Sequence, residues 1–257
     1  MITALNANAK PETKARATLP NALYRLSYSL PGVGNGLTQL TFPMKIDAAQ
    51  QRRGPNDAGH YYAMQFDVND LKGRRAATGY IGLQPRQDGK ALVAFSGFGK
   101  SFRAPSGIPS ADGGPGASNA TLIDFRFGHT YELTIERDAG DRRMLSAFVR
   151  DVTRAANPGA PRYVKSLRMD RDVLLAGRQT GFVEHYGKSL GRSSDIAYTA
   201  GTFHAPFGTS EQGKILHGSL TQGELHGRFQ HSTLGHRSIT TVGRRIVEVA
   251  LGIRGAS

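Results

Sequence analysis

Short apolar runs that alternate residue by residue, each closed by turn-forming residues, constrain this chain more than any other feature. In the stretch His60–Phe98, Tyr62, Met64 and Phe66 share one face while Ala63, Gln65 and Asp67 take the other. That is the two-residue period of a half-buried strand. A second run, Gly79-Tyr-Ile-Gly-Leu-Gln84, follows, and a third, Ala91–Phe98, is apolar on both faces, as a strand buried between layers would be. Asp88-Gly89 separates the last two, and glycine accepts the positive φ that a tight hairpin turn demands.

The same alternation recurs along the chain. Tyr24, Leu26, Tyr28 and Leu30 form one run and Leu40, Phe42, Met44 and Ile46 another, joined by the turn cluster Pro31–Gly36. The pair reads as a hairpin, with Pro43 favouring a sheet edge. Strands are also expected at Leu122–Phe127, Tyr131–Arg137, Met144–Val152, Tyr163–Leu167, Thr180–Tyr186, Ile196–Phe203 and Ile239–Ile253. Asp170–Leu175 reads as a short helix or turn. Leu216-His-Gly218 and Leu225-His-Gly227 read as similar arms of one hairpin. Gly99–Asn119, rich in Gly, Ser and Pro, has few groups to bury and reads as an exposed, mobile loop of the kind that carries binding functions or lids. About a dozen short strands without a long helical period predict an all-β fold, a β-sandwich or jelly roll. The regular spacing favours a single domain over residues 19–257, preceded by a flexible N-terminal arm over 1–18. A sub-boundary near 187–194 is the alternative.

A chain of 257 residues can bury a sizeable core, and with no cysteine that core must rest on packing alone. No apolar run approaches the length of a membrane span. The first residues lack the apolar centre of a signal peptide. The net charge of +13, supplied mostly by arginine, suits an anionic partner. The charges are dispersed, with doublets such as Arg52-Arg53 and Arg142-Arg143 beside turns, which argues against nucleic acid and fits a solvated surface.

Chemistry is carried by few residues. His204, His217, His226, His231 and His236 crowd the last quarter, but no HxH or HExxH spacing accompanies them. No metal or cofactor is therefore expected, although a loop Ca²⁺ site stays open. No GxSxG motif supports a serine nucleophile. Glu184, His185 and Tyr186 gather three titratable groups on one predicted strand and are the candidate catalytic residues, if the chain is an enzyme at all. For ligand binding the candidates are Tyr62, Gln65, Tyr80, Gln84, Arg103 and Asn119, tyrosines offering a stacking surface and amides hydrogen bonds. The absence of Trp removes the best stacking residue.

Tyr62-Ala-Met-Gln-Phe66, Gly79-Tyr-Ile-Gly-Leu-Gln84, Ala94-Phe-Ser96 and Phe182-Val-Glu-His-Tyr186 stand in an order that resembles a β-sandwich domain family of unknown function from bacteria and plants. The resemblance spans roughly residues 60–190. It implies a jelly-roll fold of the concanavalin-like kind, an extracytoplasmic location and neighbouring carbohydrate-related modules, and it transfers no catalytic residues. The family often carries Trp after the Phe-Ser strand, where this chain has Gly97-Phe98. The reading reached from sequence is a glycan-binding module, with acidic polysaccharide as the ligand. A carbohydrate-active lyase or hydrolase on acidic polysaccharide is the alternative, and a nucleic-acid-binding protein the second alternative.

Overall fold

The computed structural model describes residues 22–54, 57–187, 192–226 and 236–252. The arm expected at 1–18 lies outside them. The chain is all-β: β1 Ala22–Ser29, β2 Leu37–Ala48, β3 Gly59–Asp70, β4 Arg75–Arg86, β5 Lys90–Phe98, β6 Phe102–Arg103, β7 Gly116–Asp124, β8 Thr130–Arg137, β9 Met144–Asp151 and β10 Arg162–Met169. There follow β11 Val173–Leu175, β12 Arg178–Tyr186, β13 Thr199–His204, β14 Phe207–Ser210, β15 Ile215–His217, β16 Ser219–Leu220, β17 Glu224–Leu225, β18 His236–Thr240 and β19 Ile246–Leu251. Among the described residues no helix is long and apolar enough to cross a membrane.

Pairing between these strands is antiparallel and builds two layers. The first runs β7–β5–β4–β3–β12–β1. The second runs β10–β9–β8–β2, and β13 and β14 lie in tandem on the far side of β2. The layers are joined at both margins. Strand β11 pairs with β3 and with β2, while Asn119 Nδ2 and Thr121 Oγ1 on β7 donate to the carbonyls of Ser166 and Val164 on β10, at 2.9 and 2.8 Å. Joined margins leave few open strand edges and give the sandwich a nearly barrel-like closure.

Every second side chain of each strand points between the layers. Tyr28, Phe42, Tyr62, Met64, Phe66, Phe95 and Phe203 are buried in one continuous core. The ring of Tyr28 meets that of Phe42 edge-on at 5.2 Å, and Tyr62 stacks on Phe203 at 5.7 Å, each contact bridging the two layers. The expected Asp88-Gly89 turn is present, with positive φ of 58° and 64° at its two residues, inside a three-residue loop closed by the Arg86–Lys90 pair.

Several expectations fail, most of them for a long-range reason. β1 and β2 do not form a hairpin: β1 pairs with β12 and β2 with β8, because the 31–36 turn carries the chain from one layer to the other. Pro43 therefore sits inside a sheet, opposite the interruption between β13 and β14, where a missing N–H breaks no ladder. The segment 99–119 is not simply an exposed loop. Phe102 is buried in the core, in room left by Gly97, whose notional Cβ would lie 2.4 Å from the Phe102 ring. Residues 170–175 end in a strand rather than a helix, and Ile239–Ile253 is two strands folded back at Gly243 (φ 71°). Similarly, the two Leu-His-Gly repeats do not pair with each other: β15 pairs with β14, and β17 with β1.

A Phe42→Ala substitution should cost about 3–5 kcal/mol in chemical denaturation, the range for emptying a buried aromatic site. Gly97→Ala should cost about 1–3 kcal/mol by overpacking against Phe102. In a Phe102→Ala background most of the Gly97→Ala cost should vanish, since the clashing ring is gone.

Candidate functional site

The outer face of the first layer is where polar and aromatic side chains converge. On β12 the alternation places Arg178, Thr180, Phe182, Glu184 and Tyr186 outward; on β3 it does so for Tyr61, Ala63, Gln65 and Asp67. On β4 the outward residues are Tyr80, Gly82 and Gln84. Ala63, Gly82 and Ala94 keep the middle of this face low, so that the taller residues around them enclose a cleft. A Cβ on Gly82 would stand 2.6 Å from that of Ala63, which shows how closely the floor is packed. The cleft has a volume of about 480 Å³ and is lined by Arg25, Tyr61, Gln65, Tyr80, Glu184 and Tyr186 among others.

Its aromatic floor is a cluster of its own, separate from the main core. The ring of Tyr61 meets those of Tyr80, Phe182 and Tyr186 edge-on at 5.9, 5.7 and 6.3 Å. Arg52 and Arg86 each place a guanidinium 5.5 Å from the centre of the Tyr186 ring, a cation–π arrangement that closes one end. The hydroxyls of Tyr61 and Tyr186 are buried and have no hydrogen-bond partner among the described residues, an uncommon state for buried polar atoms. Gln65 accepts a hydrogen bond from Thr180 Oγ1 at 2.6 Å through its Oε1, which orients its amide NH₂.

Glu184 is the chemically distinctive group. Burial among these rings, reinforced by the charge of Asp112, pushes its carboxyl up to about 7. Asp112 arrives on the 99–119 segment. The backbones of Ala111 and Gly114 exchange hydrogen bonds of 3.1 and 2.9 Å, and Asp112 (φ 49°) and Gly113 (φ 78°) form the tight tip. There the Asp112 carboxylate accepts a hydrogen bond from the Tyr80 hydroxyl at 3.2 Å. A half-buried carboxyl whose pKa is raised to about 7 thus shares one cleft with an exposed carboxylate at its mouth.

The sequence candidates divide between the two faces. Gln65, Tyr80, Gln84, Glu184 and Tyr186 line the cleft together. His185 does not, because its neighbours in the strand face outward and it must face inward. It is buried, with its ring 6.0 Å from that of His60. Tyr62 is likewise turned into the core, where its hydroxyl bonds Thr199 Oγ1 at 2.8 Å. Asn119 is buried at the β7–β10 margin, and Arg103 binds the carbonyls of Lys100 and Phe102 away from the cleft. Sequence reasoning missed Asp112, although Asp112-Gly113 was a turn signal inside the glycine-rich segment. His231 lies outside the described residues. Among the described residues no group of three or more His, Asp or Glu is placed to hold a metal ion.

No family model and no curated protein gives a significant match to the chain. Among solved structures the chain is similar to scytalido-glutamic peptidase, crystallised with a transition state analog inhibitor. The TM-score is 0.49 at 13% identity, over 90% of this chain and 98% of that one.

His60 supplies a pH test of the inner face. Burial, with the nearby His185, lowers its pKa from the ordinary 6.5 to about 3, so the folded protein holds it neutral where the unfolded chain takes up a proton. Its contribution to stability is complete above pH 6.5 and falls as pH drops from 6.5 towards 3. Urea denaturation should therefore show a shallower loss of stability across that window for His60→Gln than for the wild type.

Proposed function

We propose that the outer cleft is the active site of a carbohydrate-active hydrolase, with Glu184 as its general acid. The observation that carries this reading is the carboxyl of Glu184, protonated to about pH 7 within a cleft that also holds a second carboxylate, Asp112. Hydrolysis of a glycosidic bond needs an acid to protonate the leaving oxygen and a carboxylate on the other side of the sugar, and environments that differ in burial assign those roles. Glu184, in the aromatic floor, takes the acid role. Asp112, exposed at the tip of its hairpin, takes the role of base or nucleophile.

The remaining residues hold the substrate. Tyr80 and Tyr186 present ring surface to the apolar face of a sugar. The amides of Gln65 and Gln84, on the β3 and β4 side of the acid, add directional contacts. Arg52 and Arg86 keep the Tyr186 end electropositive, which favours polysaccharides that carry acidic groups.

The test is release of reducing ends from a panel of neutral and acidic polysaccharides by the wild type and by Glu184→Gln. Loss of a general acid should lower turnover by about 10²–10⁴-fold. Wild-type activity should decline as pH rises through about 7, because the acid form of Glu184 is then lost. Tight binding of a glycan without turnover would instead favour a pure binding module, and turnover insensitive to Glu184→Gln would refute the assignment.

A further inference from the structure

The cleft does not end at Thr180. Beyond it the same outer face continues into a second cavity of about 640 Å³, lined by Asp67, Asn69, Arg75, Arg178, Gln179 and Thr180. Thr180 belongs to both cavities, so the two form one groove along β12 and β3. From Glu184 to Arg178 is six residues of extended chain, about 20 Å at the strand rise, which is room for several sugar units.

The chemistry of this second half differs from that of the first. Among the described residues that line it, the one aromatic ring is that of Tyr28, which belongs to the main core rather than to a floor like the one around Tyr61. Its acidic group is already engaged: the Asp67 carboxylate accepts hydrogen bonds from Thr78 Oγ1 at 2.5 Å and Gln179 Nε2 at 2.9 Å, and Arg75 lies 3.8 Å away. Arg178 is exposed and has no carboxylate partner among the described residues. Neither has Arg25, which is exposed on β1 and lines the neighbouring part of the groove. A guanidinium so placed offers paired N–H donors to a planar carboxylate.

We propose that this second cavity is a subsite for the anionic groups of an acidic polysaccharide strand, with Arg178, supported by Arg75, binding a carboxylate or sulfate several sugar units from the bond that is cleaved at Glu184. The position of the cleaved bond rests on the hydrolase reading; the anion site does not. Its consequence is that a polymer lies along β12, with positive charge at both ends of the groove and the acid between them, and is cut internally.

The test is fluorescence anisotropy with end-labelled oligogalacturonate, sulfated heparin-type oligosaccharide, a neutral oligosaccharide of equal length and poly-glutamate. The protein is Glu184→Gln, so that no probe is consumed, alone and combined with Arg178→Gln or with Arg178→Gln and Arg75→Gln. An acidic oligosaccharide should bind, its affinity should fall about 5-fold or more on Arg178→Gln and further in the double replacement, and the neutral probe should be unaffected by either. The uronate and sulfate probes distinguish which anion is read. Equal affinity before and after Arg178→Gln, binding of neither acidic oligosaccharide, or preference for poly-glutamate would each overturn it. Arginine-dependent binding by a protein whose wild type cleaves no polysaccharide would leave the anion site standing and remove the hydrolase.

Discussion

The packing of two sheet faces against one another is the constraint on which everything else in this molecule depends. Tyr62, Met64 and Phe66 must reach the core shared with Phe42 and Phe203, and once they do, the pleat leaves no freedom to Tyr61, Gln65 and Asp67. A slip of one residue in β3 would expose three large apolar side chains and bury Asp67. The register that satisfies the core therefore also sets the floor of the cleft. The same holds on β12, where burying Val183 obliges Glu184 to face outward next to Tyr61. The site is in this sense a by-product of the core, refined by residues small enough to leave it concave.

That concavity is what gives Glu184 its character. On a flat, wet sheet face a glutamate would hold an ordinary charge. Here Phe182, Tyr61 and Tyr186 take water away from it, and the Asp112 hairpin adds a like charge from above. Both effects oppose ionisation. The inner face solves the opposite problem with His60, which burial beside His185 keeps neutral. One strand pair thus carries two titratable groups on its two faces, Glu184 and His60, and burial favours the uncharged form of each.

Much of this was legible in the residues. The runs around β3, β4, β5 and β12 carry a clean alternation, and Asp88-Gly89 carries its turn geometry locally, so both could be read without knowing any partner. The outward set Gln65, Tyr80, Gln84, Glu184 and Tyr186 follows from the same alternation once one strand is anchored. Grouping His185 with its neighbours ignored that alternation, and so did counting Tyr62 beside Gln65. What sequence could not carry was long-range. The space that buries Phe102 is made by Gly97 across a turn, and the approach of Asp112 to Tyr80 is set by a hairpin 32 positions away. The crossover of the 31–36 turn between layers is decided by the partners of β1 and β2, not by the turn itself.

The protonation state of Glu184 is the property on which the proposed chemistry of the cleft depends. Carbon-13 NMR of glutamate side-chain carboxyls, titrated from pH 4 to pH 9 and assigned by comparison with Glu184→Gln, measures it without reference to any substrate. One carboxyl should titrate with a midpoint near 7, lowered when Asp112 is replaced by Asn. A Glu184 midpoint in the ordinary glutamate range, about 4.3, would contradict it.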